Sequence, residues 1–127
     1  MTIGGEFDAV RAVTIDYLEG MIWGQIDRIE KAFHPKAIQA GHFGQDYEFL
    51  SRQEFMDWLS AEKTAPVGSP YAAEIISIEI TGDVAVVKVT DTCFGTDFTD
   101  YLVMIRHEGT WQIVSKAFVA HSGSGAA

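Results

Sequence analysis

From Tyr71 to Val119 the chain alternates in hydropathy with a period of two, in runs parted by turns of only a few residues. Ile76, Ile78 and Ile80 alternate with Ile75, Ser77 and Glu79, and Thr81-Gly82-Asp83 reads as a hairpin turn. Val84 to Thr92 and Tyr101 to Arg106 are β-branched and alternating, and Glu108-Gly109 turns the chain into Trp111 to Val119. Parallel strands need crossovers of about a dozen residues or more. These links are too short, so the second half must be an antiparallel sheet.

The first half has another period. Phe7, Val10, Val13, Tyr17, Leu18 and Met21 fall on one helical stripe. Gly20 and Gly24 mark a break, and Ile26, Ile29 and Phe33 form a second helix that stops at His34 because Pro35 follows. Ala37 to Leu50 reads as a hairpin turning at Gly44-Gln45-Asp46, with Ile38, Ala40 and His42 sharing a face. Ser51 and Glu54 fit a capping box. They open a third helix carrying Phe55, Trp58 and Leu59, which ends near Lys63 before the Pro66 and Pro70 loop. All three prolines then sit at element boundaries.

The 127 residues suit one domain, 1–127, ordered over about 6–120 with a flexible Gly/Ser tail at 121–127. Eighteen acidic against nine basic residues give a formal charge of −9, which repels phosphate backbones and anionic lipid and argues against nucleic-acid and membrane-surface roles. Cys93 is the only cysteine, so no intrachain disulfide forms. No stretch approaches the roughly 20 apolar residues of a membrane span, and no basic segment precedes an apolar core at the N-terminus. A cytoplasmic protein is the expectation.

The order of elements and several local motifs resemble the nuclear transport factor 2-like, polyketide-cyclase-like superfamily. Val10 through Tyr17-Leu18, Gly24-Gln25 and Ala32-Phe33-His34-Pro35-Lys36-Ala37 resemble its opening. Phe98-Thr99-Asp100-Tyr101-Leu102 and Gly109-Thr110-Trp111-Gln112-Ile113-Val114-Ser115-Lys116 are similar to its branch described as "Putative lumazine-binding". The resemblance implies a cone-shaped α+β fold, with N-terminal helices packed on a curved, mainly antiparallel sheet around a cavity, in a homodimer. Relatives of the steroid-isomerase kind carry their proton-abstracting acid at the position of Gly41. Glycine cannot take a proton, so that chemistry is not carried over; their first-helix tyrosine matches Tyr17.

Three residues stand out as catalytic candidates. His42 lies beside the relatives' acid position and, if Ile38 points inward, faces the cavity as a general base; otherwise it is a structural histidine near a turn. Asp91 extends the Val87-Val89 face, and Asp100 shares a face with Leu102, Met104 and, across the hairpin, Ala117. A carboxylate on an apolar face must be neutral, paired or hydrogen-bonded. Either acid orients His42 or a ligand, or caps the turn between them. Tyr17, Trp23, Tyr47, Trp58 and Phe94 are candidates for the wall around a small apolar or aromatic ligand. Lys116 either meets that ligand or pairs with an acid across a dimer interface. No metal-ligand spacing and no cofactor motif is present.

Both faces of the last hairpin carry apolar residues: Leu102, Met104, Trp111 and Ile113 on one, Tyr101, Val103, Ile105, Val114 and Phe118 on the other. Helices cover only one face. The expectation is a homodimer packed through the second. The function expected is small-molecule binding in the cavity. The alternatives are a cofactor-independent cyclase, dehydratase or isomerase using His42 with Asp91 or Asp100, and a protein-interaction module with a filled cavity.

Overall fold

A computed structural model describes residues 3–121. The expected flexible tail from Ser122 onward lies outside the described residues. Three helices, α1 (Ile3–Ile22), α2 (Ile26–Ala32) and α3 (Arg52–Ser60), pack against one face of a six-stranded sheet. The strands are β1 (Phe33–Phe43), β2 (Asp46–Ser51), β3 (Ala73–Thr81), β4 (Val84–Cys93), β5 (Thr96–His107) and β6 (Thr110–Ala120), in the order β2-β1-β6-β5-β4-β3. Every pairing is antiparallel except β1 with β6. The fold is the expected α+β class. Among the described residues, no helix is long and apolar enough to cross a membrane.

Local chemistry explains the boundaries. Ser51 closes the expected capping box: its hydroxyl accepts from the Glu54 N–H at 3.1 Å, and the Glu54 carboxylate accepts from the Ser51 N–H at 2.9 Å. The β4–β5 and β5–β6 turns are two-residue turns with both residues at positive φ, Phe94 (53°) and Gly95 (71°), then Glu108 (51°) and Gly109 (79°). That geometry matches the twist of the strands it joins. α2 ends at Ala32, two residues earlier than Pro35 suggests. Phe33 already starts β1 and Pro35 lies inside it, in the irregular stretch between the Phe33 and Ile38 pairings. A proline is tolerated there because the ladder is broken at that point.

Two bulges and the phase of β1 decide which side chains face the helices. In β6 the register shifts by one residue, so Val103 pairs with Ser115 but Met104 with Ile113, and Val114 is the extra residue. A bulge of this kind reverses the parity downstream. Lys116 and Phe118 therefore join Trp111 and Ile113 on the inner face, whereas unbroken alternation places them outside. Lys116 pairs with Leu102 and Phe118 with Asp100, so the expected partner of Asp100, Ala117, sits outside opposite Tyr101. A second bulge, between Ile75 and Ser77, leaves Ile76 outside while Ile75, Ile78 and Ile80 pack inward.

β1 differs in phase throughout. Its inward residues are Ala37, Gln39 and Gly41, and Ile38, Ala40 and His42 face out. The reason is space. A β-carbon on Gly41 would lie 2.5 Å from the Phe118 carbonyl oxygen and 2.7 Å from its ring. The inner side of this strand admits only small or slender groups, and bulky Ile38 is left 44% exposed on the far face.

Candidate functional site

The helices close over the strand ends to leave a hollow lined by β1, β2, β4, β5, β6, α1 and α3. Its volume is about 30 Å³, room for about two water molecules. Its walls are mainly aromatic: Phe55 and Trp58 from α3, Phe94 from the β4–β5 turn, Phe98 and Phe118 from the sheet. Trp58 stacks near Phe55 (6.3 Å, 17°) and meets Phe94 edge to face at 5.0 Å.

Polar groups gather at one end of this apolar space. On β4 the inward row Ala85, Val87 and Val89 continues into Asp91, and on β5 the row Leu102 and Met104 runs back into Asp100. Val89 pairs with Asp100 and Asp91 with Phe98, so the two acids are diagonal neighbours on one face. Diagonal pairs remain within side-chain reach. Both acids are buried, Asp91 3% and Asp100 0% exposed. They lie within hydrogen-bonding reach of each other, and burial first, then the neighbouring Asp100, pushes Asp91 up to about 9.

The remaining partners fit a protonated Asp91. The Tyr17 hydroxyl donates to Asp100 Oδ2 at 2.7 Å, and the Cys93 thiol to Asp91 Oδ1 at 3.6 Å. The other oxygens, Asp91 Oδ2 and Asp100 Oδ1, have no donor in the protein. A proton held on Asp91, in keeping with its raised pKa, removes the repulsion of two buried carboxylates. Burial and the adjacent acids raise Tyr17 well above the usual phenol range, and burial raises the Cys93 thiol too, so both stay neutral donors.

Lys116 completes the group. Its Nζ lies 4.9 Å from the ring centre of Tyr17, 5.0 Å from that of Phe55 and 5.1 Å from that of Phe118. Gln39, its neighbour on β1, turns a buried carbonyl oxygen with no donor toward the same space. Glu48 stands at the β2 side, raised in pKa by burial against the opposing pull of Lys116.

Of the residues expected from the sequence, Tyr17, Trp58, Phe94, Asp91, Asp100 and Lys116 meet at this hollow. Three do not. His42 is exposed on the outer face, stacked on Tyr47 at 4.8 Å, because β1 runs in the opposite phase to the one expected. It touches neither acid, and the pairing of His42 with Asp91 or Asp100 is withdrawn. Tyr47, its cross-strand partner, is 66% exposed. Trp23 donates its indole N–H to the Ser69 carbonyl at 3.1 Å and packs edge to face on Tyr71, pinning the loop after α3. Sequence reasoning missed Gln39 and Glu48, which alternate correctly once Gly41 is assigned inward, and Cys93, which shares the turn with Phe94.

The family model described as "Putative lumazine-binding" matches residues 5–119. The chain belongs to that family. Among curated proteins it is similar to the aldolase FrzH of Cladobotryum sp, 35% identical over 115 residues, covering 89% of this chain and 90% of that one. Among solved structures it resembles an NTF2-like protein of unknown function from Silicibacter pomeroyi, with TM-score 0.88, 29% identity, and coverage of 95% and 100% of the two chains. An NTF2-like protein of unknown function from Shewanella baltica gives TM-score 0.84 at 25% identity, covering 97% and 99%. The family member described here thus has the nuclear transport factor 2-like, small-molecule-binding fold.

Proposed function

We propose that this chain is a cofactor-independent enzyme that moves a proton next to the carbonyl group of a small apolar or aromatic compound, the enolate-forming step with which an aldol reaction begins. The observation that carries this reading is the buried pair Asp91–Asp100, neighbours on one sheet face, each with a carboxyl oxygen that lacks a donor, set in an aromatic hollow. A buried acid held neutral beside a second carboxyl, out of water, offers a donor and an acceptor to the same substrate. The pair takes a proton from the carbon next to the carbonyl. The C–H electrons pass into the new C=C bond, and the carbonyl oxygen becomes negative. The pair, now holding two protons, returns one to a carbon or to the oxygen of a second carbonyl that the enolate carbon has attacked. Atoms and charge balance without an added reagent. The aldolase relative supports this class of reaction, and the aromatic lining of the hollow suits an apolar or aromatic compound for which its side chains part.

Solvent deuterium incorporation into phenylacetone, followed by NMR, tests the reading. Wild-type protein is expected to accelerate exchange, and Asp100→Asn to lower the rate about 10²-fold or more. A wild-type rate no greater than that of an Asp91→Asn/Asp100→Asn double variant would refute it. The second reading, binding without turnover, is favoured by the tightness of the hollow; it predicts a co-purifying ligand and no exchange.

The same proposal includes a second copy of the chain on the outer sheet face. Ile38 (44%), Phe49 (61%), Tyr101 (43%) and Val119 (51%) are exposed there, more apolar surface than a solvated face ordinarily shows. Sedimentation should give twice the protomer mass, falling to the protomer mass in Tyr101→Glu; a wild-type monomer at micromolar concentration refutes this.

A further inference from the structure

We infer that Lys116 is the electrophile of the cavity: its ammonium group holds the oxygen that becomes negative when the Asp91–Asp100 pair removes a proton. This rests on the proton-transfer reading above and assigns the residue that reading leaves open. The bulge at Val114 places Lys116 inside, 5% exposed, where a regular strand would have sent it outward. Three aromatic faces lie about 5 Å from Nζ, and their negative quadrupoles attract a cation placed among them. Among the described residues Lys116 forms no ion pair or hydrogen bond, although Asp91 and Glu48 both feel its charge.

Those facts divide the labour at the polar end. The Tyr17 hydroxyl is engaged by Asp100 and the Cys93 thiol by Asp91, so neither is available to an incoming oxygen without breaking a bond. The ammonium offers three N–H donors not spent on protein acceptors. In a space that excludes most water, a charge-assisted bond from such a donor to a developing oxyanion is far stronger than in solution. The role inferred for Lys116 is exerted through its charge, with no imine formed.

A phenol is a stable mimic of the step, since ionisation moves its proton to the acid pair and leaves a negative oxygen on a planar ring. The probe is 4-nitrophenol, whose ionised form is yellow, added to the full chain at a pH where the free phenol is mostly neutral. Wild type should bind it ionised. Lys116→Met should bind it about tenfold or more weakly and in the neutral form, and Lys116→Arg should restore the ionised form. Near-ultraviolet dichroism and a urea midpoint check that both variants are folded. Ionised probe bound equally by Lys116→Met overturns the inference, and if Asp100→Asn then loses ionisation the acid pair still stands. Ionisation retained in Asp100→Asn but lost in Lys116→Met supports the role of Lys116 and refutes that of the pair. A reduced adduct on Lys116 after phenylacetone and borohydride overturns the inference as well, and so does failure of wild type to bind the probe.

Discussion

Replacing Asp91 with asparagine keeps the shape of the side chain and removes its ability to ionise, so the shared proton should appear directly in the pH dependence of stability. The folded-state pKa of Asp91 is raised from 3.8 to about 9 by burial and by Asp100. Between those values the native pair holds one proton that the unfolded chain has released. Stability therefore contains a favourable contribution complete below pH ~4 that is lost progressively as the pH rises toward 9. One extra native-state proton corresponds to a slope of about 1.4 kcal/mol per pH unit. In Asp91→Asn the amide N–H₂ donates to Asp100 in place of the proton, and that slope disappears. From pH 6 to pH 8 the stability of the variant relative to wild type should rise by about 3 kcal/mol, a large fraction of the roughly 5–15 kcal/mol a domain possesses. Urea unfolding monitored by tryptophan fluorescence at pH 6, 7 and 8 measures it, with the m-values compared to confirm that the transition is unchanged in extent. A difference between the two proteins that stays constant with pH would mean that Asp91 is ionised when folded. The shared proton, and the acid pair as a donor, would then be abandoned.

Other substitutions test the placement of single residues. Gly41→Ala should lower stability by about 2–3 kcal/mol, because its new methyl meets a backbone oxygen that cannot swing away; an unchanged melting temperature would contradict the close approach of β1 to Phe118. His42→Ala should leave phenylacetone exchange at the wild-type rate and shift the urea midpoint little, as an exposed residue stacked on one ring does; a loss of exchange would return His42 to the site. Ser51→Ala should cost about 1 kcal/mol through the lost cap, read as a lower urea midpoint. No change in that midpoint would show that α3 is held by its buried face alone.

The sequence was most legible where one local rule sufficed. The hairpin turns at Gly44, Gly82 and Gly109 need residues that accept positive φ, and the chain supplies them where the strands end. The capping box at Ser51 and Glu54 is complete within four residues, so it was readable without knowing what α3 packs against. Asp91 and Asp100 were also visible, since each interrupts an apolar row on a regular stretch of strand. The errors had a single cause. Assigning Ile38 and His42 inward in β1, and Phe118 to the outer face in β6, assumed an uninterrupted alternation. Hydrophobicity cannot phase a strand when both of its faces are apolar.

The chain by its own composition and spacing dictates two helical segments, a hairpin, a capped third helix and an antiparallel sheet, because those depend on contacts between near neighbours. It also determines that two acids end up on the inner face of β4 and β5. Only the tertiary structure decides that they are buried beside each other, that Tyr17 reaches Asp100 from eighty-three residues away, and that Lys116 enters the same space. The physical reason is that the parallel docking of β1 on β6 brings Gly41 against Phe118, and the single extra residue at Val114 turns the strand over. Both are matters of distance between segments far apart in the chain, which local periodicity does not encode.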